Sequence, residues 1–392
     1  MRLLDSVQES SIVVVLGDGG VGKTTVASAL AMLAAARGRR VLAVTVDPSN
    51  RLKTAMGLTG RPGEEEPVDL GGLPVAETGG SLHAMVLDAA TEMDRLVDRL
   101  LPTPEARRRI TDNVFYRKAA ATMAGTHEYM AMERLLEALE SGRYDLVVLD
   151  TPPERHALDF LDAPARLDGL LSSDVFRLFV TASAGLGRIG LGALRWRSVI
   201  LKGISKFAGE ETFLAILDFV LAFQPLFEGF RQRAARVGSW FTGPDCSTLI
   251  VCRPGPQCAR EVCSTLNALR GRGIEPAAVV ANRVRFWPPS GSDARTARPV
   301  TASTLRKTLE SNPALSLHDP ATIERLAART LDLAGSYREL AKEDRGHMES
   351  LAASTGPVAL YEIPLLKGEV RDPATLALFA AVVEQAVSGD LA

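Results

Sequence analysis

Long apolar runs, cysteine and an excess of either charge are all scarce in this sequence. No run reaches the ~18 uncharged apolar residues that a membrane-spanning helix needs. Four cysteines, all within residues 246–263, indicate a reducing compartment and not a disulfide scaffold. The start of the chain, MRLLDSVQESS, carries acids and no apolar segment, so no secretory signal is expected. A net charge of −2 argues against a bulk nucleic-acid binder. We therefore expect a cytoplasmic protein with no nucleic-acid partner.

Five apolar runs alternate with segments of helical periodicity, and they predict the fold class. The runs are IVVVLG (12–17), VLAVTV (41–46), YDLVVLD (144–150), STLIVC (247–252) and AAVVAN (277–282). Strand, helix and strand in short succession are typical of parallel βαβ units. Continuous Val, Ile and Leu runs fit strands that are buried on both faces. We expect an α/β fold with a doubly wound, mostly parallel sheet.

Two regions interrupt this alternation, and the sequence predicts a single domain over residues 1–392 that carries both. Residues 165–240 have a helical pattern without strand signals, and we expect a helical insert there. Residues 286–320 are rich in Pro, Ser and Thr, which is typical of a surface excursion.

The segment GDGGVGKT, from Gly17 to Thr24, predicts a phosphate-binding loop. It follows an apolar strand and opens a helix, which is the context that makes this motif specific and a chance glycine turn improbable. Backbone N–H groups of such a loop surround phosphate oxygens, while Lys23 reaches the β- and γ-phosphates. The Thr24 hydroxyl is a ligand for Mg²⁺. The predicted nucleotide-binding residues are Gly17, Gly19, Gly20, Val21, Gly22, Lys23, Thr24 and Thr25.

Two aspartates at the ends of predicted strands complete a nucleotide-hydrolysing site. Asp150 ends VVLD, where an Asp holds the magnesium of many phosphate-loop enzymes, although an Asp there also commonly caps a turn. Asp47 follows VLAVTV, where a carboxylate orients or deprotonates an attacking water; an N-cap role is an equal alternative.

Together these motifs resemble the arsenical pump-driving ATPase family, which includes the factor that targets tail-anchored membrane proteins. The resemblance rests on GGVGKTT, VDPSNRL, VVLDTPPERHALDFLDAP, VVANRV and EIPLLKGEVRD, in that order. It covers roughly residues 10–60, 125–165, 245–285 and 355–385 and is weak or absent elsewhere. Members of this family are phosphate-loop ATPases that work as dimers.

The resemblance implies roles for individual positions. Asp47 and Pro48 belong to the first switch segment, in which the aspartate activates the attacking water. The implied catalytic residues are Lys23 and Asp47. The second switch, which senses the γ-phosphate, comprises Asp150, Thr151, Pro152, Pro153 and His156. Asn282 reads the adenine edge, and Pro364 and Leu365 line the base. The residues that follow Asn282 are not the Lys-x-Asp of a GTPase, so ATP with Mg²⁺ is the expected ligand pair.

The chain departs from the family at Asp18, where relatives carry a second Lys that reaches the other subunit's phosphates. Asp18 has the opposite charge, and we expect it to turn away from the anion. Arg51 and Arg155 are candidate replacement cations. The chain has a single nucleotide-binding half, so the resemblance implies a homodimer or a heterodimer with a paralogue. The cysteine spacing favours neither an arsenite site nor a zinc staple, and buried or incidental thiols are the simpler interpretation.

The helical insert is where the family receives its client. Residues 176–206 carry six basic side chains and no acid, with apolar residues between them. Such a segment suits a hydrophobic client, a membrane protein or a lipid, and leaves a peripheral position at the membrane open. An ordinary amphipathic helix pair that covers the sheet is an equal alternative.

The sequence thus predicts a Mg²⁺-dependent ATPase switch that captures a hydrophobic or membrane-associated partner. Two alternatives remain: a non-catalytic or very slow ATP-sensing scaffold, for which Asp18 marks lost turnover, and a partitioning or septum-site ATPase.

Overall fold

The computed structural model describes residues 3–47, 51–73, 79–101, 103–113, 126–152, 158, 161–163, 165–166, 169, 229, 232–287, 301–312 and 319–388. Pro48, Pro153 and His156, predicted switch residues, lie outside the described residues, and so does Arg155. Of the predicted insert, the structure describes three positions near its start, position 229 and the part from 232 to 240.

One eight-stranded sheet organises the described part of the chain. Its strands are β1 (Ile12–Gly17), β2 (Arg40–Thr45), β3 (Glu66–Pro67), β4 (Ser81–Val86), β5 (Leu146–Asp150), β6 (Cys246–Cys252), β7 (Ala278–Val284) and β8 (Ala359–Pro364). They lie in the order β3-β4-β2-β5-β1-β6-β7-β8. All neighbours are parallel except β3 and β4, which are antiparallel. The α/β fold with a mostly parallel sheet is confirmed.

Helices cover both faces of the sheet. They are α1 (Leu3–Glu9), α2 (Lys23–Ala36), α3 (Arg51–Met56), α4 (Ala89–Leu100), α5 (Pro104–Thr111), α6 (Thr126–Glu140), α7 (Cys258–Arg270), α8 (Ala302–Glu310), α9 (Pro320–Thr355) and α10 (Pro373–Ser388). Because successive strand residues point to opposite faces, Val13 and Val15 of β1 join the core under α2 and α10. Val14 and Leu16 join the core under α6 and α7.

The structure adds elements that the sequence did not predict. Strands β4 and β8 and the short β3 extend the sheet at its two edges, and α9 is a single helix of 36 residues. Within the predicted excursion at 286–320, α8 has no buried residue and lies beside α9. No helix of the described residues is long and apolar enough to cross a membrane.

Ion pairs fix the chain to the core just before the predicted insert and within its last part. Before it, Asp162 accepts two hydrogen bonds from Arg272, at 2.7 and 2.6 Å. At its end, the helical segment 232–241 is joined to α6: Arg233 Nε donates to Glu133 at 2.7 Å, and Arg236 pairs with Glu140 at 2.5 Å. Since α6 leads into β5, the returning chain is anchored next to the strand that ends in Asp150.

A second buried ion pair lies just beyond β7. Arg285 donates from Nε and Nη2 to the two carboxylate oxygens of Asp344, at 2.9 and 2.6 Å. Asp344 belongs to α9 and is 1% exposed. This bidentate contact fixes the long helix against the end of β7.

Candidate nucleotide site

The phosphate loop occupies the turn between β1 and α2, as the motif predicts. Gly17, Gly20 and Gly22 have φ values of 146, 81 and 96°, a region that side chains rarely adopt. Gly22 is the N-cap of α2, so the free N–H groups of the first helical turn face the loop. The loop and the helix N-terminus together form a site suited to an anion.

Two of these glycines are also required by close contacts with neighbouring strands. A Cβ on Gly17 would lie 2.1 Å from the Val251 carbonyl oxygen of β6. A Cβ on Gly22 would lie 2.2 Å from Nδ2 of Asn282, on β7. Both distances are far inside van der Waals contact. The motif therefore serves the packing of the loop on the sheet as well as the approach of a phosphate.

Lys23, the first residue of α2, is buried beside the loop. Its Nζ donates to the Asp18 carbonyl oxygen at 2.8 Å. Burial lowers the pKa of Lys23, and the nearby carboxylates of Asp150, Asp47 and Asp18 oppose that shift. The ammonium group thus lies near Asp47 and Asp150, the two acidic side chains that the sequence assigned to the same site.

Asp150, at the end of β5, is the most buried charged group of the site, with 1% of its surface exposed. Its Oδ2 accepts hydrogen bonds from the Thr24 hydroxyl at 2.7 Å and from the Thr45 hydroxyl at 2.9 Å. Its Oδ1 is buried and has no hydrogen-bond partner among the described residues. Burial raises the pKa of Asp150 to about 6, although both hydroxyls lower it.

The donor set around Asp150 fits a magnesium ion. Mg²⁺ prefers carboxylate, hydroxyl and water oxygens, and it commonly uses one or two protein ligands while it keeps several waters. Thr24 Oγ1 and the orphaned Oδ1 of Asp150 are oxygens of this kind on adjacent elements. A buried carboxylate with one unsatisfied oxygen is unfavourable unless a cation or water completes it.

Asp47 and Arg51 lie on the same side of the loop. Asp47 follows β2, and its backbone N–H donates to the Thr45 hydroxyl at 3.2 Å. Both side chains are close enough to Lys23 to influence its pKa in opposite directions. Arg51, exposed at the start of α3, is therefore near the loop; that it replaces the second Lys of the family stays a prediction.

The described part of the second switch is joined to the loop strand. The Thr151 hydroxyl donates to the Val15 carbonyl oxygen of β1 at 2.8 Å, and Thr151 is 1% exposed. Pro152 follows, and its carbonyl oxygen accepts from the same hydroxyl at 3.4 Å. The position after Asp150 is thus fixed to the strand that carries the phosphate loop.

The predicted adenine residues occupy the ends of β7 and β8. Pro364 is buried at the end of β8, and the exposed Leu365 donates its N–H to the Val284 carbonyl oxygen at 2.8 Å. Asn282 is 3% exposed, and its Nδ2 donates to the Val21 carbonyl oxygen at 2.9 Å. Asn282 therefore contacts the phosphate loop itself, a contact that the sequence did not predict.

Asp18 lies in the wall of a cavity between the phosphate loop and the β6–α7 loop. This cavity has a volume of about 440 Å³. Glu261 of α7 lines it too; burial and the nearby Asp18 carboxylate raise the pKa of Glu261. Cys252 and Cys258, both buried, line the same cavity. Asp18 is half-buried and its side chain interacts with Glu261 of α7; that it turns away from a bound anion stays a prediction.

Thr45 is the site residue that sequence reasoning missed. It is a hydroxyl within an otherwise apolar strand, and a buried hydroxyl needs a partner. That signal was present in VLAVTVD. Its partner could be identified only once β2 and β5 were known to be neighbours, with Thr45 opposite Asp150 in the register.

Comparison with known proteins matches the part of the chain that carries the phosphate-loop motif, Asp47 and Asp150. A family model described as anion-transporting ATPase matches residues 10–183. The chain is similar to ATPase GET3 of Malassezia globosa, with 28% identity over 278 residues, 70% of this chain and 73% of that protein.

Two further relatives differ in how much of the chain they cover. ATPase ASNA1 homolog 2 of Paramecium tetraurelia is 30% identical over 151 residues, 38% of this chain and 42% of that protein. Protein Rv2184c of Mycobacterium tuberculosis is 24% identical over 378 residues, 94% of this chain and 74% of that protein. The similarity to this bacterial protein therefore extends over nearly the whole chain.

Proposed function

We propose that this chain, which belongs to the anion-transporting ATPase family, binds Mg²⁺-ATP at its phosphate loop and hydrolyses the γ-phosphate. The observation that carries the proposal is the convergence of Lys23, Thr24 and Asp150 beside the loop. Asp150 keeps one buried carboxylate oxygen without a partner among the described residues. A cation-binding oxygen and an anion-binding loop on adjacent strands suit a metal–phosphate ligand.

Each side chain has a task in this reaction. The loop N–H groups and the N-terminus of α2 bind the phosphates, and Lys23 stabilises the negative charge on the β- and γ-oxygens. When bound, Mg²⁺ would be held by Thr24 and, directly or through a water, by Asp150, and would neutralise phosphate charge. Asp47 orients the attacking water and accepts its proton.

The proposal extends to a coupling between this site and a partner. β5 carries Asp150, and the preceding helix α6 holds the segment 232–241 through Arg233 and Arg236. A change in position at Asp150 on hydrolysis would therefore be transmitted through α6 to the segment 232–241. We propose that this region captures a hydrophobic or membrane-associated partner, with the protein working in the cytoplasm or at the membrane surface as a homodimer or with a paralogue.

The catalytic part is tested by measuring Mg²⁺-dependent ATP turnover of the purified chain, alone and with membrane extract. Asp47→Asn is expected to keep ATP affinity within about twofold while turnover falls by about 100-fold or more, since only proton acceptance is lost. Asp332→Asn, a matched change at an exposed position on α9, is expected to leave turnover unchanged.

Tight ATP binding without turnover in either setting would reject hydrolysis and favour the ATP-sensing scaffold, which the position of Asp18 against α7 makes the second candidate. Absence of ATP binding would reject both. Sedimentation with ATP and with ADP tests the assembly: a dimer with ATP supports self-pairing, and a persistent monomer points to a paralogue.

A further inference from the structure

The buried side chain of Asn282, on β7, contacts the phosphate loop. Its Nδ2 donates to the Val21 carbonyl oxygen at 2.9 Å, and Gly22 passes so close that a Cβ there would lie 2.2 Å from Nδ2. Oδ1 of the same amide is buried and has no partner among the described residues. The amide thus faces the last peptide unit of the loop, directly before α2.

The end of β7 is distorted where it presents this side chain. Its pairing with β8 shifts register between Ala281 and Val284. Arg283 has φ 62°, a left-handed conformation found at no other described non-glycine residue. A non-glycine residue in this region costs about 1 kcal/mol or more, and such strain clusters at functional positions. The distortion lies directly beside Asn282 and reorients the strand end, as bulges do.

The hydrogen bond from Asn282 to the Val21 carbonyl oxygen also sets the direction of the Gly22 N–H. The Val21 C=O and the Gly22 N–H belong to one planar trans peptide, in which the two groups point in opposite directions. With the carbonyl bonded to Asn282, the Gly22 N–H points away from Asn282. Gly22, at φ 96°, offers little resistance of its own to a rotation of this peptide. A flipped peptide would direct an oxygen, not an N–H, toward a bound anion.

We propose that Asn282 is a positioning residue for phosphate binding: it fixes the Val21–Gly22 peptide so that its N–H contributes to the anion site. This inference rests on the proposed binding of a nucleotide phosphate at the loop. It differs from the adenine-reading role that the family resemblance implies, because it makes Asn282 matter equally for every ligand that carries the same phosphates, whatever its base.

Three ligands separate the two roles: Mg²⁺-ATP, Mg²⁺-GTP and inorganic tripolyphosphate with Mg²⁺. Their affinities are measured by calorimetry for the wild type, Asn282→Leu and Asn282→Asp, with Asn267→Asp as the matched change at an exposed position on α7. Asn282→Leu removes the donor at similar volume and is expected to weaken all three ligands about tenfold, the value of one hydrogen bond to a buried carbonyl. The ratio of ATP to GTP affinity is expected to stay constant.

Asn282→Asp, which keeps the shape of the side chain, is expected to weaken all three ligands by more than tenfold, because it also adds a negative charge near the phosphates. It provides the test if Asn282→Leu does not fold, as judged from the ligand-free unfolding midpoint. Hydrogen exchange of ligand-free protein is expected to be faster over residues 17–23 in the variants and unchanged elsewhere.

Loss of ATP affinity alone, with tripolyphosphate binding unchanged, would overturn the inference and assign Asn282 to the base. Unchanged affinities together with unchanged exchange over residues 17–23 would overturn it too. A wild type that binds none of the three ligands would instead reject the proposed function.

Discussion

Replacing Asp150 with asparagine is expected to reduce the pH dependence of stability in the metal- and nucleotide-free protein. Burial raises the pKa of Asp150 to about 6, against 3.8 for an exposed carboxyl. The folded state therefore binds the proton more tightly than the unfolded state. Its stability rises as pH falls through about 6, and the gain is complete below about 4. The full difference corresponds to about 3 kcal/mol.

Between about pH 7.5 and about pH 5, this carboxyl alone should add about 1.4 kcal/mol to the unfolding free energy. The amide that replaces it would be neutral at both values while still accepting from Thr24 and Thr45, so Asp150→Asn should lack that increment. Urea unfolding in a chelating buffer at the two pH values measures it as a difference between the wild type and the variant. Titrating groups that do not interact with Asp150 cancel in this comparison.

The exposed substitution Asp332→Asn should follow the wild type in the same experiment. If Asp150→Asn and the wild type gain the same stability to within about 0.4 kcal/mol, the precision expected of independent measurements, the carboxyl is not desolvated. The description of Asp150 as a buried carboxylate with one unpaired oxygen among the described residues would then be wrong. Mg²⁺-ATP should raise the melting temperature of the wild type and have a smaller effect on the variant.

Two other predictions follow from close contacts. Gly22→Ala should weaken ATP binding by about 2 kcal/mol or more, because the new Cβ would displace Asn282 and the alanine would hold a strained φ. Gly20→Ala, whose Cβ would meet no atom within 4 Å, should show a smaller loss in the same ATP titration. Arg285→Ala should lower the unfolding free energy in urea by about 3 kcal/mol, because the buried Asp344 carboxylate loses its charged partner and keeps only the backbone N–H of residue 285. A loss below about 1 kcal/mol would show that the pair is not desolvated.

The central strands could be predicted from the sequence because their physical signal is strong. β1, β5 and β6 are buried on both faces and read as continuous apolar runs, as predicted. β4 and β8 escaped prediction because they lie toward the edges of the sheet. SLHAMV and ALYEIP mix polar with apolar residues, and their burial is only partial. α9 carries few buried side chains along its 36 residues, so its sequence shows no strong apolar stripe.

In the candidate nucleotide site, too, some features could be predicted from the sequence and others could not. The motif places Lys23 and Thr24 by local chain geometry, and the strand ends place Asp47 and Asp150 at one edge, so the sequence suffices to bring them together. Their roles stay predictions. The contact between Asn282 and the loop depends instead on strand order and on the irregular end of β7, neither of which leaves a mark in a short window of residues.

Ion pairs hold the chain just before the 165–240 region and in its last part, and this has a consequence for how the protein can diversify. Asp162 is held by Arg272 where the chain leaves, and Arg233 and Arg236 are held by α6 where it returns. The residues between these anchors can change in length or sequence without removing either set of contacts, so we expect the strands that carry the phosphate loop to stay undisturbed. If the proposed function holds, a new partner could be acquired by changes in this stretch alone, while the candidate nucleotide site stays the same.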